Sequence, residues 1–142
     1  MILIDANLLI YAYHTAAQNH QRSKDWLEAV FDSGDRVAFS WTTLLAFVRI
    51  TTSPKPFSIP LTSEEVSAIV TGWLSHPAVC ILQPTERHWT ILSQFLADGQ
   101  ARGPLVMDAH LAALAMEHGA TLCTTDRDFT RFQGLRLLNP LE

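Results

Sequence analysis

The sequence predicts an α/β fold, an α/β/α sandwich with a central, mostly parallel sheet. Short apolar runs of three to five residues alternate with segments of helical period along the whole chain. Each connection between runs carries at least one helix, and right-handed crossovers of that kind join parallel strands. No repeat, low-complexity segment or shift of composition interrupts the alternation, so residues 1–142 are expected to form a single domain.

Ile2-Leu3-Ile4 leads directly into Asp5-Ala6-Asn7, which reads as a buried strand ending in a turn that opens a helix. Leu8, Leu9 and Ala12 face inward on that helix, which fades near His14 into a polar loop to His20. The next helix, about Gln21 to Phe31, carries Trp26, Leu27, Val30 and Phe31, and Gly34 is expected to close it. A strand over Arg36 to Phe39 precedes a helix from about Trp41 to Thr51. Ser53 to Pro60 holds three prolines in eight residues and is a loop. Thr62 to Glu65 forms a capping box for an amphipathic helix with Val66, Ile69, Val70, Trp73 and Leu74 on one face.

Val79 to Leu82 is the third strand, and a helix from about Glu86 to Ala97 groups Trp89, Leu92, Phe95 and Leu96. After a loop over Gly99 to Pro104, Asp108 is expected to begin an Ala/Leu-rich helix that Gly119 stops. Ala120 to Thr124 is the fourth strand, Asp126 to Phe132 a short helix, and Leu135 to Leu138 the last strand.

The chain is 48% apolar and 17% charged, which excludes an intrinsically disordered protein. Its net charge of −4 gives no bulk attraction to nucleic acid but leaves room for a locally positive groove. Cys80 and Cys123 each sit in a short apolar run and read as reduced, buried thiols. No apolar stretch approaches the roughly 18 residues that cross a bilayer. The first residues carry no basic leader and hold Asp5 among their apolar side chains, so the expectation is a cytoplasmic protein with no membrane partner. With neither a G-x-S-x-G elbow nor a GxxxxGK loop, serine hydrolases and P-loop NTPases are poor readings.

In parallel sheets, ligands bind beyond the carboxyl ends of the strands, where strand order reverses. Asp5 directly follows the first strand, Asp126 follows the fourth with Asp128 two residues on, and Asp108 precedes a helix. Any one of these reads equally well as a helix cap. Together, carboxylates at one sheet edge repel one another unless a cation offsets them. Carboxylate-only donors favour Mg²⁺ or Mn²⁺ over zinc. Such a site suits phosphodiester hydrolysis, because a divalent cation lowers the pKa of water and steadies a leaving oxygen.

ILIDANLLIYA at the start, LLAFVRI in the third helix, VMDAHLAALAMEHG and TLCTTDRDFTRFQGLRLLNP together resemble the PIN domain, and more closely the VapC toxins of bacterial type II toxin–antitoxin systems. The resemblance runs from residue 2 to residue 140. It implies a metal-dependent endoribonuclease that cuts a structured RNA such as a tRNA, is held inactive by a small VapB-like antitoxin, and forms a homodimer. By position, Asp5, Asp108 and Asp126 match three of the family's metal-binding acids and Asp128 an accessory one. Asn7 and Thr124 match polar residues that orient the site. The chain departs from the pattern where a glutamate usually stands three residues before the arginine of the third helix: counting back from Arg49 reaches Ala46, and no acid lies between Arg36 and Pro60.

That departure motivates a second reading, a degenerate PIN domain that binds RNA or a protein without cutting. A third is a small Mg²⁺-dependent phosphatase, for which Asp-x-Asn lacks the second aspartate of such enzymes. Arg49 reads equally as a phosphate contact and as a surface arginine, and Arg127, Arg131, Arg22 and Lys24 could rim the acids or be scattered surface charge. The six histidines show no zinc spacing, and the four tryptophans sit at core spacing except Trp41, which is expected to pack. The helices around Trp26 to Phe31 and Leu44 to Ile50 are the expected faces for an amphipathic partner segment.

Overall fold

The structure is a computed structural model describing residues 1–142. The chain forms β1 (Ile2–Ile4), α1 (Ala6–Tyr13), α2 (His20–Phe31), β2 (Val37–Phe39), α3 (Trp41–Thr51), α4 (Ser63–Ser75), β3 (Val79–Ile81), α5 (His88–Asp98), α6 (Leu105–His118), β4 (Thr121–Cys123) and β5 (Leu137–Leu138). A 3₁₀ helix spans Arg127–Arg131 between β4 and β5. The five strands lie in the order β3-β2-β1-β4-β5, every pair parallel.

Strand alternation divides the core in two. Leu3, Ala38 and Leu122 face a layer holding Phe95 of α5 and the Ala/Leu stripe of α6. Ile4, Val37, Phe39 and Cys123 face Leu8 and Leu9 of α1, Leu27 of α2, Phe47 of α3 and Trp73 of α4. Aromatic rings knit the second layer: Phe47 and Phe39 lie 4.8 Å and 5.5 Å from Trp73. The alanines of α6 (Ala109, Ala112, Ala113 and Ala115) are fully buried, and their small side chains let the helix lie close on the sheet.

Several expectations need correction. Helix α6 begins at Leu105, because Leu105 and Val106 N–H already donate to the Arg102 and Gly103 carbonyls; Asp108 is therefore its fourth residue and caps nothing. Helix α2 ends at Phe31 with a right-handed Asp32 as its cap, so Gly34, at φ +85°, turns the following loop instead. Gly119 does close α6, in the left-handed conformation at φ +65°. Trp89 is 68% exposed: the inward face of α5 runs through His88, Ile91, Leu92 and Phe95, and Trp89 lies off that stripe. Leu74 likewise sits at the margin of the Val66-Ile69-Val70-Trp73 stripe and is exposed. Trp41, expected to pack, is 47% exposed. The capping box of α4 forms as read, with Glu65 N–H donating to Thr62 and Thr62 N–H to Glu65. Both cysteines are free, Cys123 fully buried and Cys80 only partly. No helix is long and apolar enough to cross a membrane.

Candidate active site

The sheet order reverses between β1 and β4: the chain steps outward from β1 through β2 to β3, then returns to β1's other side. Neighbouring parallel strands whose ends diverge in this way leave a crevice at their carboxyl edge. Ile4 is in register with Cys123, so the next residues, Asp5 and Thr124, emerge side by side, and Asp5 N–H donates to the Cys123 carbonyl at 3.0 Å. Helices that cross between parallel strands run back along the sheet, which places the first turn of α6, with Asp108, at this same edge.

The local bonds follow from that placement. Thr124 Oγ1 donates to Asp5 Oδ2 at 2.7 Å and accepts from Asp126 N–H at 3.0 Å, joining the two strand ends through one hydroxyl. Asp5 Oδ1 accepts from Ala6 N–H and caps α1, while Asp126 Oδ1 accepts from Asp128 N–H and caps the 3₁₀ helix. The cap reading of Asp5 and Asp126 thus holds alongside the clustering. One carboxylate oxygen from each of Asp108, Asp126 and Asp128 lies within 4.8 Å of the others. Asp5 stands next to this trio, linked to Asp126 by Thr124.

The electrostatics record the crowding. Burial, then repulsion from Asp126, Asp5 and Asp128, pushes Asp108 up to about 6, with Arg131 partly opposing. Burial also raises Asp5, although its bonds from Thr124 and Ala6 pull the other way. Carboxylate oxygens at close range, with Asp5 and Asp108 held back from ionising, fit a hard divalent cation, whose charge relieves the repulsion.

Asp5, Asp108 and Asp126 line a cavity of about 500 Å³, and Asp128 lies outside its lining. Asn7 of α1 lines it, and α3 contributes the face Thr42, Leu45, Ala46, Arg49 and Ile50. Ser40 sets that face by capping α3, accepting from Thr43 N–H at 3.1 Å. Ala46 therefore stands in the cavity wall, where the missing glutamate would have stood. Arg49 lines the cavity, Arg131 lies 3.8 Å from Asp128 while donating to the Gly99 carbonyl, and Arg127 faces Glu142 at 3.9 Å. Arg22 and Lys24 are exposed on α2, away from the lining residues.

The PIN domain family model matches residues 2–135. The chain belongs to the PIN-domain family. Among PIN proteins it is 43% identical over 140 residues to Ribonuclease VapC37 of Mycobacterium tuberculosis, covering 99% of this chain and 97% of that one. Ribonuclease VapC43 of the same organism is 34% identical over 142 residues, covering 100% and 97%. The structure of VapBC-1 from nontypeable Haemophilus influenzae superposes with a TM-score of 0.72 at 21% identity, covering 100% of both chains, and so shares the PIN fold.

Two features of this PIN domain escape a reading by spacing. The apolar part of the cavity wall, Leu45, Ile50, Met107 and Leu111, was visible only as part of two helical stripes. A polar cluster around the buried Glu117 lies outside the cavity: Glu117 accepts from Thr85 N–H at 2.8 Å and Thr85 Oγ1 at 2.6 Å and bonds the His88 ring, whose Nε2 meets His110 Nδ1 at 2.9 Å. A lone glutamate near the end of an Ala/Leu-rich helix was its only signal.

Proposed function

We propose that this chain is the endoribonuclease toxin of a VapBC-type pair, hydrolysing RNA phosphodiester bonds with Mg²⁺ or Mn²⁺ held by Asp5, Asp108 and Asp126 and assisted by Asp128. The observation that carries the reading is the gathering of these acids at the β1/β4 crevice of a chain 43% identical to a named ribonuclease. Bound there, a divalent cation supplies Lewis-acid stabilisation of phosphate charge and lowers the pKa of water. Thr124 holds the Asp5 carboxylate by its hydroxyl, fixing one donor before any ligand arrives. Asn7 orients substrate from the first turn of α1, and Arg49 offers a guanidinium to a phosphate oxygen. Ala46 offers no oxygen donor, so it would take no part in holding the cation.

A VapB-like antitoxin completes the proposal, in keeping with solved neighbours that are VapBC complexes. A groove of about 360 Å³ lined by Tyr13, Leu27, Phe31 and Trp73 supports an amphipathic segment there, with Glu28 and Asp32 at its edge. A homodimer and a cytoplasmic location belong to the same proposal. The test is incubation of purified chain, freed of any co-purifying partner, with labelled total RNA in Mg²⁺, in Mn²⁺ and in chelator, beside Asp108→Asn. Discrete metal-dependent fragments that vanish in the variant are expected. Intact RNA in every lane, from folded protein, would favour the binding-only reading that Ala46 motivates.

A further inference from the structure

The cavity above the acids has two unlike halves. Its floor is anionic, with Asp5, Asp108 and Asp126, while the wall is apolar, with Leu45, Ala46 and Ile50 from α3 and Met107 and Leu111 from α6. Leu45 is 62% and Met107 53% exposed, so two large apolar side chains stand in water at the mouth of a charged pocket. At Ala46 the helix presents a methyl group in place of a longer side chain, and the cavity of about 500 Å³ is of the size that small-molecule sites occupy. Arg49, one turn further along the same face, makes no ion pair with the acids.

We propose that the space beside Ala46 is a nucleobase pocket, taking the base of the nucleotide next to the phosphate that is cut. The proposal rests on the ribonuclease reading and names the substrate feature that the site selects. A nucleotide matches both halves at once: its phosphate meets the cation-loaded acids and Arg49, and its flat base meets Leu45, Ile50 and Met107. The methionine adds a polarizable sulfur suited to an aromatic ring. A base can enter only when it is unstacked, so the pocket favours a loop or single-stranded end over a duplex. A carboxylate at position 46 would occupy this volume and repel the adjoining phosphate; alanine does neither.

The test is calorimetric titration of the full chain, in saturating Mg²⁺, with the four nucleoside 5′-monophosphates and with ribose 5-phosphate, which keeps the phosphate and sugar but lacks a base. At least one nucleotide is expected to bind about tenfold tighter than ribose 5-phosphate. That advantage is expected to disappear in Ala46→Trp, whose indole fills the space. It is expected to shrink in Leu45→Ser, a change at an exposed position that leaves the core untouched, while ribose 5-phosphate binds both variants as it binds the wild type. Ribose 5-phosphate binding as tightly as all four nucleotides would overturn the pocket, as would an advantage that survives both substitutions. Metal-dependent RNA cleavage persisting beside such a flat series would remove the pocket alone; loss of cleavage in the wild type would remove the reading beneath it. Leu45→Ser that spares nucleotide binding but weakens the hold on a cognate antitoxin would give the wall to a protein partner and equally overturn the pocket.

Discussion

Burial first, and then repulsion from Asp126, Asp5 and Asp128, act against ionisation of Asp108. Its carboxyl, ordinarily near 3.8, is pushed up to about 6. A raised folded-state pKa means that the contribution to stability is full below the unfolded value and lost as pH rises through the folded one. For metal-free protein in chelator, Asp108→Asn should therefore raise the melting temperature at about pH 8 and by clearly less at about pH 5, the gain fading out only below the unfolded value. An equal gain at both would place the repulsion elsewhere. Thr124 acts on the same site through Asp5. Thr124→Val removes the 2.7 Å bond while keeping the shape, and about a 10-fold to 100-fold loss of Mn²⁺ affinity is expected from calorimetry. At this scale the sequence was informative where chemistry is local. Asp5 and Asp126 each follow a strand end, and Asp126 and Asp128 share one short motif. Ala46 was legible as a gap in a pattern, but the apolar wall that it opens was not, because Met107 and Leu111 reach the cavity from a helix some sixty residues away in sequence.

Among the elements, α6 shows how one helix serves two purposes. Its first turn brings Asp108 to the sheet edge, and its last turn anchors Glu117 to α5 and the loop before it. Burial alone would raise Glu117, but the bonds from Thr85 and His88 outweigh it and hold the carboxyl below its ordinary value. Its stabilising effect should accordingly fade as pH falls through that lowered value. Glu117→Ala leaves partly buried donors on Thr85 and His88 without their acceptor, and a loss of about 2 kcal/mol is expected in urea unfolding. A loss under about 0.5 kcal/mol, the range of ordinary surface changes, would contradict the cluster's structural role. The outward turn of Trp89 departs from the stripe that spacing predicts for a related reason. Periodicity reports that a stripe exists, but His88 took the inward place on α5 because Glu117 and His110 waited for it across the helix pair. Partners 29 and 22 residues away leave no local trace.

For the whole molecule, the alternation of apolar runs with helices carried the fold, since every strand lies where a run predicted it, β1 over the same residues and the other four shorter by one or two. Strand order was not in that pattern; it emerges only when β4 returns to pair with β1, and that return creates the crevice. Because both faces of the one sheet are covered by helices from along the chain, residues 1–142 are proposed to unfold as one unit. Far-ultraviolet dichroism and tryptophan fluorescence should trace coincident urea transitions. Two separated transitions would contradict this.

The central claim is that the acids at the β1/β4 crevice form a divalent-cation site. Calorimetric titration of Mn²⁺ into metal-free chain at neutral pH tests it most directly. Saturable binding is predicted in the wild type, weakened at least about tenfold in Asp126→Asn with the fold retained. Binding that is absent from the folded wild type, or unchanged in Asp126→Asn, would contradict it.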